Sequence, residues 1–229
     1  MIRHLPLGNA DYRDTLALQR LLHTMRCAGE IPDLVISVEH NPVFTIGRTG
    51  SRDNLLVSET LLLQEGIDMV DVERGGDITY HGPGQLVLYP IFDLRGFGKD
   101  IHRFIWLLEE AIIRTLLELG IDGGRRSGFP GVWVAQRKNA SIGVYVKNWV
   151  TYHGLALNVD VSQRHFQMIR PCGLSVEMVS VNDLVDSPLA ISDVCEILLD
   201  AWQDLLDEPI ALTDHKELNI PNDHSSIVD

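Results

Sequence analysis

Cysteine is scarce in this chain. Cys27, Cys172 and Cys195 are the only three in 229 residues, an odd number with no CxxC pair. That excludes a disulfide framework and a zinc knuckle and favours a reducing compartment. Basic residues are short as well: 19 Lys and Arg face 32 Asp and Glu, for a net charge of −13. Proteins that bind nucleic acid by neutralising phosphates have the opposite balance, so no nucleic-acid partner is expected. No uninterrupted apolar run approaches about 18 residues, so no membrane span is expected. The opening segment lacks an apolar signal core, which leads us to expect a cytoplasmic location. Nucleotide-binding loops are missing too. There is no GxxxxGK[ST], and neither Gly82-Pro-Gly84 nor Gly96-Phe-Gly98 extends to GxGxxG.

What is present is an ordinary globular composition, 45% hydrophobic and 22% charged, with no repeat or low-complexity tract to divide it. The length suits one domain. Apolar periodicity and capping residues predict helices from about Asp11 to Ala28, Ser58 to Glu65 and Asp100 to Leu119, and a last one capped by Ser192 and reaching Leu206. Strand-like runs fall at Leu34–Val38, Val43–Ile46, Ile67–Val72, Ile78–Tyr80 and Leu86–Phe92. Three more, Val132–Gln136, Ala140–Val146 and Tyr152–Val159, are spaced as an antiparallel meander. Grouped strands with helices between the groups point to an α+β fold. We expect a single folded domain over 1–207 and a polar tail over 208–229.

Two segments carry unusual chemistry. Arg74-Gly-Gly-Asp-Ile-Thr-Tyr-His-Gly-Pro-Gly-Gln85 combines four glycines and a proline with Arg, Tyr and His. Such a stretch suits close backbone approach to a ligand and equally suits two tight turns around a short strand. In Met168-Ile-Arg-Pro-Cys-Gly-Leu174 the thiol of Cys172 sits between a proline that fixes the chain and a glycine without side-chain bulk. This setting fits a nucleophile, and a structural turn fits it too. Cys27 and Cys195, at or near helix ends, read as inert hydrophobes. A nucleophilic thiol needs a base or cation nearby. The candidates are His40, His81, His153, Lys138 and Lys147, and local spacing does not choose among them.

Six ordered motifs between Val38 and Leu184 are similar to those of the octanoyltransferase (lipoate-protein ligase B) family. They are Val38-Glu-His-Asn-Pro-Val-Phe-Thr45, the glycine-rich stretch 74–85, Gly131-Val-Trp-Val134, Lys138 with Ser141-Ile-Gly143, His153-Gly-Leu-Ala-Leu-Asn158, and Ile169-Arg-Pro-Cys-Gly173. The resemblance implies a single domain like the catalytic core of biotin protein ligases, with a mixed, largely antiparallel central sheet. It implies transfer of octanoyl from acyl carrier protein to a lysine of a lipoyl domain. The acceptors it implies are 2-oxoacid dehydrogenase acyltransferase subunits and glycine-cleavage H protein. Cys172 matches the family's thioester nucleophile and Lys138 the lysine that activates it. Arg74, Gly75, Gly76, Asp77, Ile78, Thr79, Tyr80 and His81 match the loop lining the acyl site. Ser141, Ile142, Gly143, Gly154, Leu155 and Ala156 match its other walls. A thioester donor already carries the activation, so neither cofactor nor metal is called for. Asp77 and Asn139 depart from the family pattern; Asp77 is expected to pair with Arg74 or to affect carrier docking. On so acidic a chain, an acidic carrier needs a local basic patch, for which Arg125, Arg126, Arg137, Lys138 and Lys147 are candidates.

Overall fold

The computed structural model describes residues 1–170 and 176–220. Its core is an eight-stranded mixed sheet. The strands are β1 (Ile2–Ala10), β2 (Leu34–His40), β6 (Gln85–Ile91), β7 (Gly124–Arg126), β8 (Phe129–Val134), β9 (Arg137–Lys147), β10 (Val150–Asn158) and β11 (Ile210–Leu212). Their order is β11-β1-β2-β6-β10-β9-β8-β7, parallel at β11-β1-β2 and antiparallel from β2 onward. The meander is present as expected in β8–β10. A second, three-stranded sheet has the order β4-β3-β5, built from β3 (Val43–Ile46), β4 (Asp68–Asp71) and β5 (Ile78–His81).

The helices form where their caps and stripes require. Asp11 accepts from the amides of Arg13 and Asp14 to open α1 (Tyr12–Ala28), and Gly29 closes it at φ 77°. Ser58 caps α2 (Glu59–Glu65). Asp100 caps α3 (Ile101–Glu118), whose Phe104, Leu108, Ile112 and Leu116 repeat every fourth residue and are fully buried. A short α4 spans Gln163–Phe166, and α5 spans Ile191–Leu206. α5 starts one residue earlier than Ser192 would set it. Ala190 is its N-cap, and the Ser192 hydroxyl bonds Asp193 instead.

Alternation along the strands divides the sheet's two faces. Leu86 and Leu88 of β6 join the core under α3 and α5, whereas Val87, Tyr89 and Ile91 join the core under α1. A third core fills the small sheet. Three strands, β1, β7 and β11, escape the sequence pattern. β1 contains Pro6 and Gly8, and its register against β2 shifts between Pro6 and Asn9. β11 lies in the stretch expected as a polar tail, yet it pairs with β1, and Leu218 and Ile220 beyond it are buried against the α1 core. Among the described residues, no helix is long and apolar enough to cross a membrane.

Candidate active site

A cavity of ≈ 240 Å³ lies between the two sheets. Its roof belongs to the small sheet. Arg74, only 8% exposed, donates from Nη2 to the Thr45 carbonyl (2.6 Å) and from Nε to Thr45 Oγ1 (3.1 Å), which clasps residues 74–77 to β3. The backbone adds bonds from Gly47, Arg48 and Thr49 to the carbonyls of Asp77, Arg74 and Gly76. The Asp77 carboxylate accepts from the amides of Ser51 (3.2 Å) and Ile78 (2.7 Å) and from the Asn54 side chain. Asp77 therefore ties the 51–54 turn to the roof, and Arg74 ties the roof to β3.

The floor belongs to β9 and β10. Roof and floor meet where the Gly75 amide donates to the Val144 carbonyl at 3.1 Å. This approach requires Gly143, because a Cβ there would lie 2.9 Å from the Gly75 carbonyl oxygen.

At the outer end, Lys138 enters the cavity from β9 with Nζ 5.5 Å from the centroid of the buried Trp133 ring. A cation over an indole face is stabilised by the ring quadrupole. The backbone of Lys138 is held on its free side by the 177–179 segment: its amide donates to the Glu177 carbonyl (2.8 Å), and its carbonyl accepts from Val179 (3.1 Å). Next to it, the buried Asn139 amide nitrogen donates to the carbonyls of Asn158 and Val179. Asn139 thus fastens the same segment to the end of β10. Val176 and Met178 complete the wall. On the other side of positions 171–175, the Arg170 amide donates to the Asn54 carbonyl at 2.8 Å.

The inner end is lined by Tyr12, Tyr89, His81 and His153. His81 carries its proton on Nδ1, because Gln85 donates its amide to Asn158 and turns its oxygen toward His81 at 2.8 Å. Burial, with smaller effects from His40 and Arg74, drives the His81 pKa down to about 3. Behind it, His40 Nδ1 donates to the Ala10 carbonyl, and Nε2 accepts from the Tyr89 hydroxyl. Burial takes His40 down to about 4. Both imidazoles are neutral at physiological pH.

Of the residues singled out from sequence, Lys138, Arg74, Gly75, Gly76, Asp77, Ile78, Thr79, His81, Ser141, Ile142, Gly143, Gly154, Leu155 and Ala156 all border this one cavity. Tyr80 does not. β5 alternation turns it into the small-sheet core, against Phe44 and Phe166, with its hydroxyl 2.8 Å from His165 Nδ1. Cys172 lies outside the described residues. The other two thiols are raised by burial, Cys195 to about 11. The basic patch does not assemble as expected. Arg125 is paired with Glu109 (3.0 Å) and Glu110 (2.8 Å) and lies over Trp106. Lys147 ends β9, nine residues and so roughly 30 Å along the strand from Lys138. Arg126 stays near the cavity mouth, stacked on Phe129 and Trp133. The cavity lining also includes Tyr12 and Tyr89, which the sequence does not single out, and Trp133 and His153, which enter the sequence reading only as motif members and, for His153, as a candidate base.

Residues 11–203 match the family model described as lipoyl protein ligase A/B catalytic domain. The chain belongs to that family. Among curated members it is similar to an octanoyltransferase of Caldicellulosiruptor saccharolyticus, 48% identical over 82% of this chain and 81% of that one. It also resembles an octanoyltransferase of Desulforamulus reducens, 37% identical over 93% and 94%. Among solved folds, lipoate-protein ligase A bound with ATP superposes with a TM-score of 0.78 at 17% identity, covering 99% of this chain and 92% of the other. The biotin protein ligase of Aquifex aeolicus gives 0.53 at 9% identity, over 90% and 69%. The ligase family's α+β core, with its mixed sheet and flanking helices, is thus the fold of this chain.

Proposed function

We propose that the cavity is the acyl site of an octanoyltransferase of protein lipoylation, working through a thioester on Cys172. Octanoyl-acyl carrier protein is the donor. Lipoyl domains, of 2-oxoacid dehydrogenase acyltransferase subunits and of glycine-cleavage H protein, are the acceptors. The relatives' shared activity supports the reaction class. The observation that carries the reading is the placement of Lys138 in a cavity wall shared with Val176 and Met178. Position 172 is four residues from that wall and two from Arg170, which is itself bonded to the 51–54 turn.

In the first half-reaction the Cys172 thiol attacks the donor carbonyl. Its proton passes to neutral Lys138, and the carrier sulfur leaves and takes that proton as its C–S bond breaks. In the second, the acceptor amine attacks the new thioester. Its proton passes through Lys138 to the departing Cys172 sulfur, and an amide remains. Both steps are covalent catalysis with one base working in each direction.

The same fold serves an ATP-bound ligase, so fold does not separate the two chemistries. Intact mass spectrometry of the chain mixed with octanoyl-carrier protein, followed by peptide mapping, does. The expected result is one octanoyl on Cys172 without ATP, with Cys27 and Cys195 unmodified. Octanoyl transfer that needs ATP and survives Cys172→Ser would show a ligase instead.

A further inference from the structure

The registers of five strands set one row of residues side by side across the large sheet. Gly131 of β8 pairs with Ser141 of β9, Ser141 with Ala156 of β10, Ala156 with Val87 of β6, and Val87 with Val38 of β2. Residues directly opposite on paired strands share a face, here the face whose core holds Ala156, Val87 and Val38 under α1. The row begins at bare backbone. A Cβ at Gly131 would meet Lys138 Cε, so the lysine amine hangs at the head of the row. Ser141 and Ala156 follow with small side chains, which leaves a shallow channel running across the strands. Ser141, Ala156 and Val87 border the cavity, whereas Val38, the next member, does not. The channel ends between β6 and β2.

Tyr12 stands at that end. It is the first residue of α1, 3% exposed, a wall of the cavity and a member of the same core as Val87 and Val38. Its ring is clamped, stacked on His81 at 5.8 Å with planes 12° apart and set edgewise to His40 at 5.0 Å. Both imidazoles are themselves held, His81 by Gln85 and His40 between Ala10 and Tyr89. A ring fixed in this way in a close-packed interior does not yield by even one methylene without cost. From Ser141 to Val87 the channel crosses two interstrand spacings, roughly 10 Å, which matches the reach of an extended eight-carbon chain.

We infer that Tyr12 is the end stop of the acyl channel and the residue that excludes chains longer than octanoyl. The acyl group lies across the strands over Ser141 and Ala156, with its carbonyl toward Lys138 and its terminal methyl against the Tyr12 ring. This assignment rests on the acyl-transfer reading above and deepens it by naming the side chain that measures the substrate. The ring does the measuring, and the hydroxyl has no part in it. A longer homologue has to displace the clamped ring, and a shorter one leaves a void before it.

The experiment compares loading from octanoyl, decanoyl and dodecanoyl thioesters of one carrier protein, followed by intact mass in single turnover. In the parent chain octanoyl is expected to load at least tenfold faster than dodecanoyl. Tyr12→Ala opens the row toward Val38 and should raise decanoyl loading relative to octanoyl about tenfold, since each methylene that finds a buried place contributes a few-fold. Tyr12→Phe keeps the ring and should keep the parental order. The readout is the ratio between donors, because a general loss of stability slows all three together. Tyr12→Leu, which also removes the ring, is read in the same way if the alanine variant fails to fold. A parent that loads dodecanoyl as fast as octanoyl overturns the end stop. So do parental ratios in the ring-less variant, or altered ratios in Tyr12→Phe. Absence of loading from all three donors by the parent overturns the acyl-transfer reading itself.

Discussion

Gly131 and Lys138 stand so close across β8 and β9 that a Cβ added at 131 would lie 2.8 Å from Lys138 Cε and 2.2 Å from the Ala140 carbonyl oxygen. Gly131 also has φ 124°, which L side chains rarely adopt, and its amide donates to the Glu109 carboxylate at 3.0 Å. The stem of the lysine therefore lies over bare backbone that Glu109 anchors from α3. We expect Gly131→Ala to lower Tm by several degrees, since strain of about 1–3 kcal/mol moves Tm by about 2–4 °C per kcal/mol at this size. Acyl loading should fall further than the stability loss explains. Calorimetry with single-turnover kinetics at a temperature where the variant is fully folded checks both; an unchanged loading rate would remove the positional role.

Lys138→Ala should lose roughly 10² to 10⁴ in rate, the range for general-base assistance, and in both half-reactions. Lys147→Ala, at the opposite end of β9, should retain the parental rates. Lys138→Arg should fail with the alanine variant, because guanidinium stays protonated and cannot accept a proton. If the arginine variant transfers octanoyl at the parent rate, Lys138 supplies charge and nothing more.

The neutral histidines make stability depend on pH. The unfolded chain binds a proton on each near pH 6.5, whereas the folded chain takes it up only near pH 4 at His40 and pH 3 at His81. Both contributions are complete above pH 6.5 and are lost as pH falls from there toward those lower values, at up to about 1.4 kcal/mol per pH unit for each. Urea unfolding between pH 6.5 and 5 should show a slope that His81→Gln reduces. A slope indifferent to that change would mean that His81 is protonated in the folded state.

Carrier association should slow as salt rises, through Arg126 and not Lys147. Exposed charges are screened over about 8 Å at physiological ionic strength, and complementary patches act mainly on the association rate. Stopped-flow binding of octanoyl-carrier protein to Arg126→Ala and Lys147→Ala should separate them, with only the first losing salt dependence. Arg125→Ala should act on Tm instead, because it strips Glu109 and Glu110 of their shared partner.

The elements visible in the sequence were those with a local cause. Asp11, Ser58 and Asp100 cap helices through their own side chains, and β8–β10 alternate with short turns between them. β1 and β11 were invisible because their pairing is parallel and distant in sequence, Ile2 with Ile210, and the strands themselves are broken by Pro6 or only three residues long. The site was legible where ordered motifs converged, from Arg74 to Ala156. The use of Asp77 as a loop tie and of Asn139 as a strand fastener depends on backbone atoms that no residue pattern reveals. So does the left-handed turn at His153, which gives a strand histidine the orientation of its neighbour.

Roof and floor of the cavity belong to different sheets. Arg74 and Asp77 bind the roof to the small sheet, and contact with the large one passes through the Gly75 amide and the bare face of Gly143. The bore of the tunnel is thus a spacing between two independently hydrogen-bonded slabs. Sliding or tilting one slab against the other regauges the guest without breaking a ladder in either. A fold constructed in this way can be regauged by changes at the seam, leaving the Lys138 end of the cavity untouched.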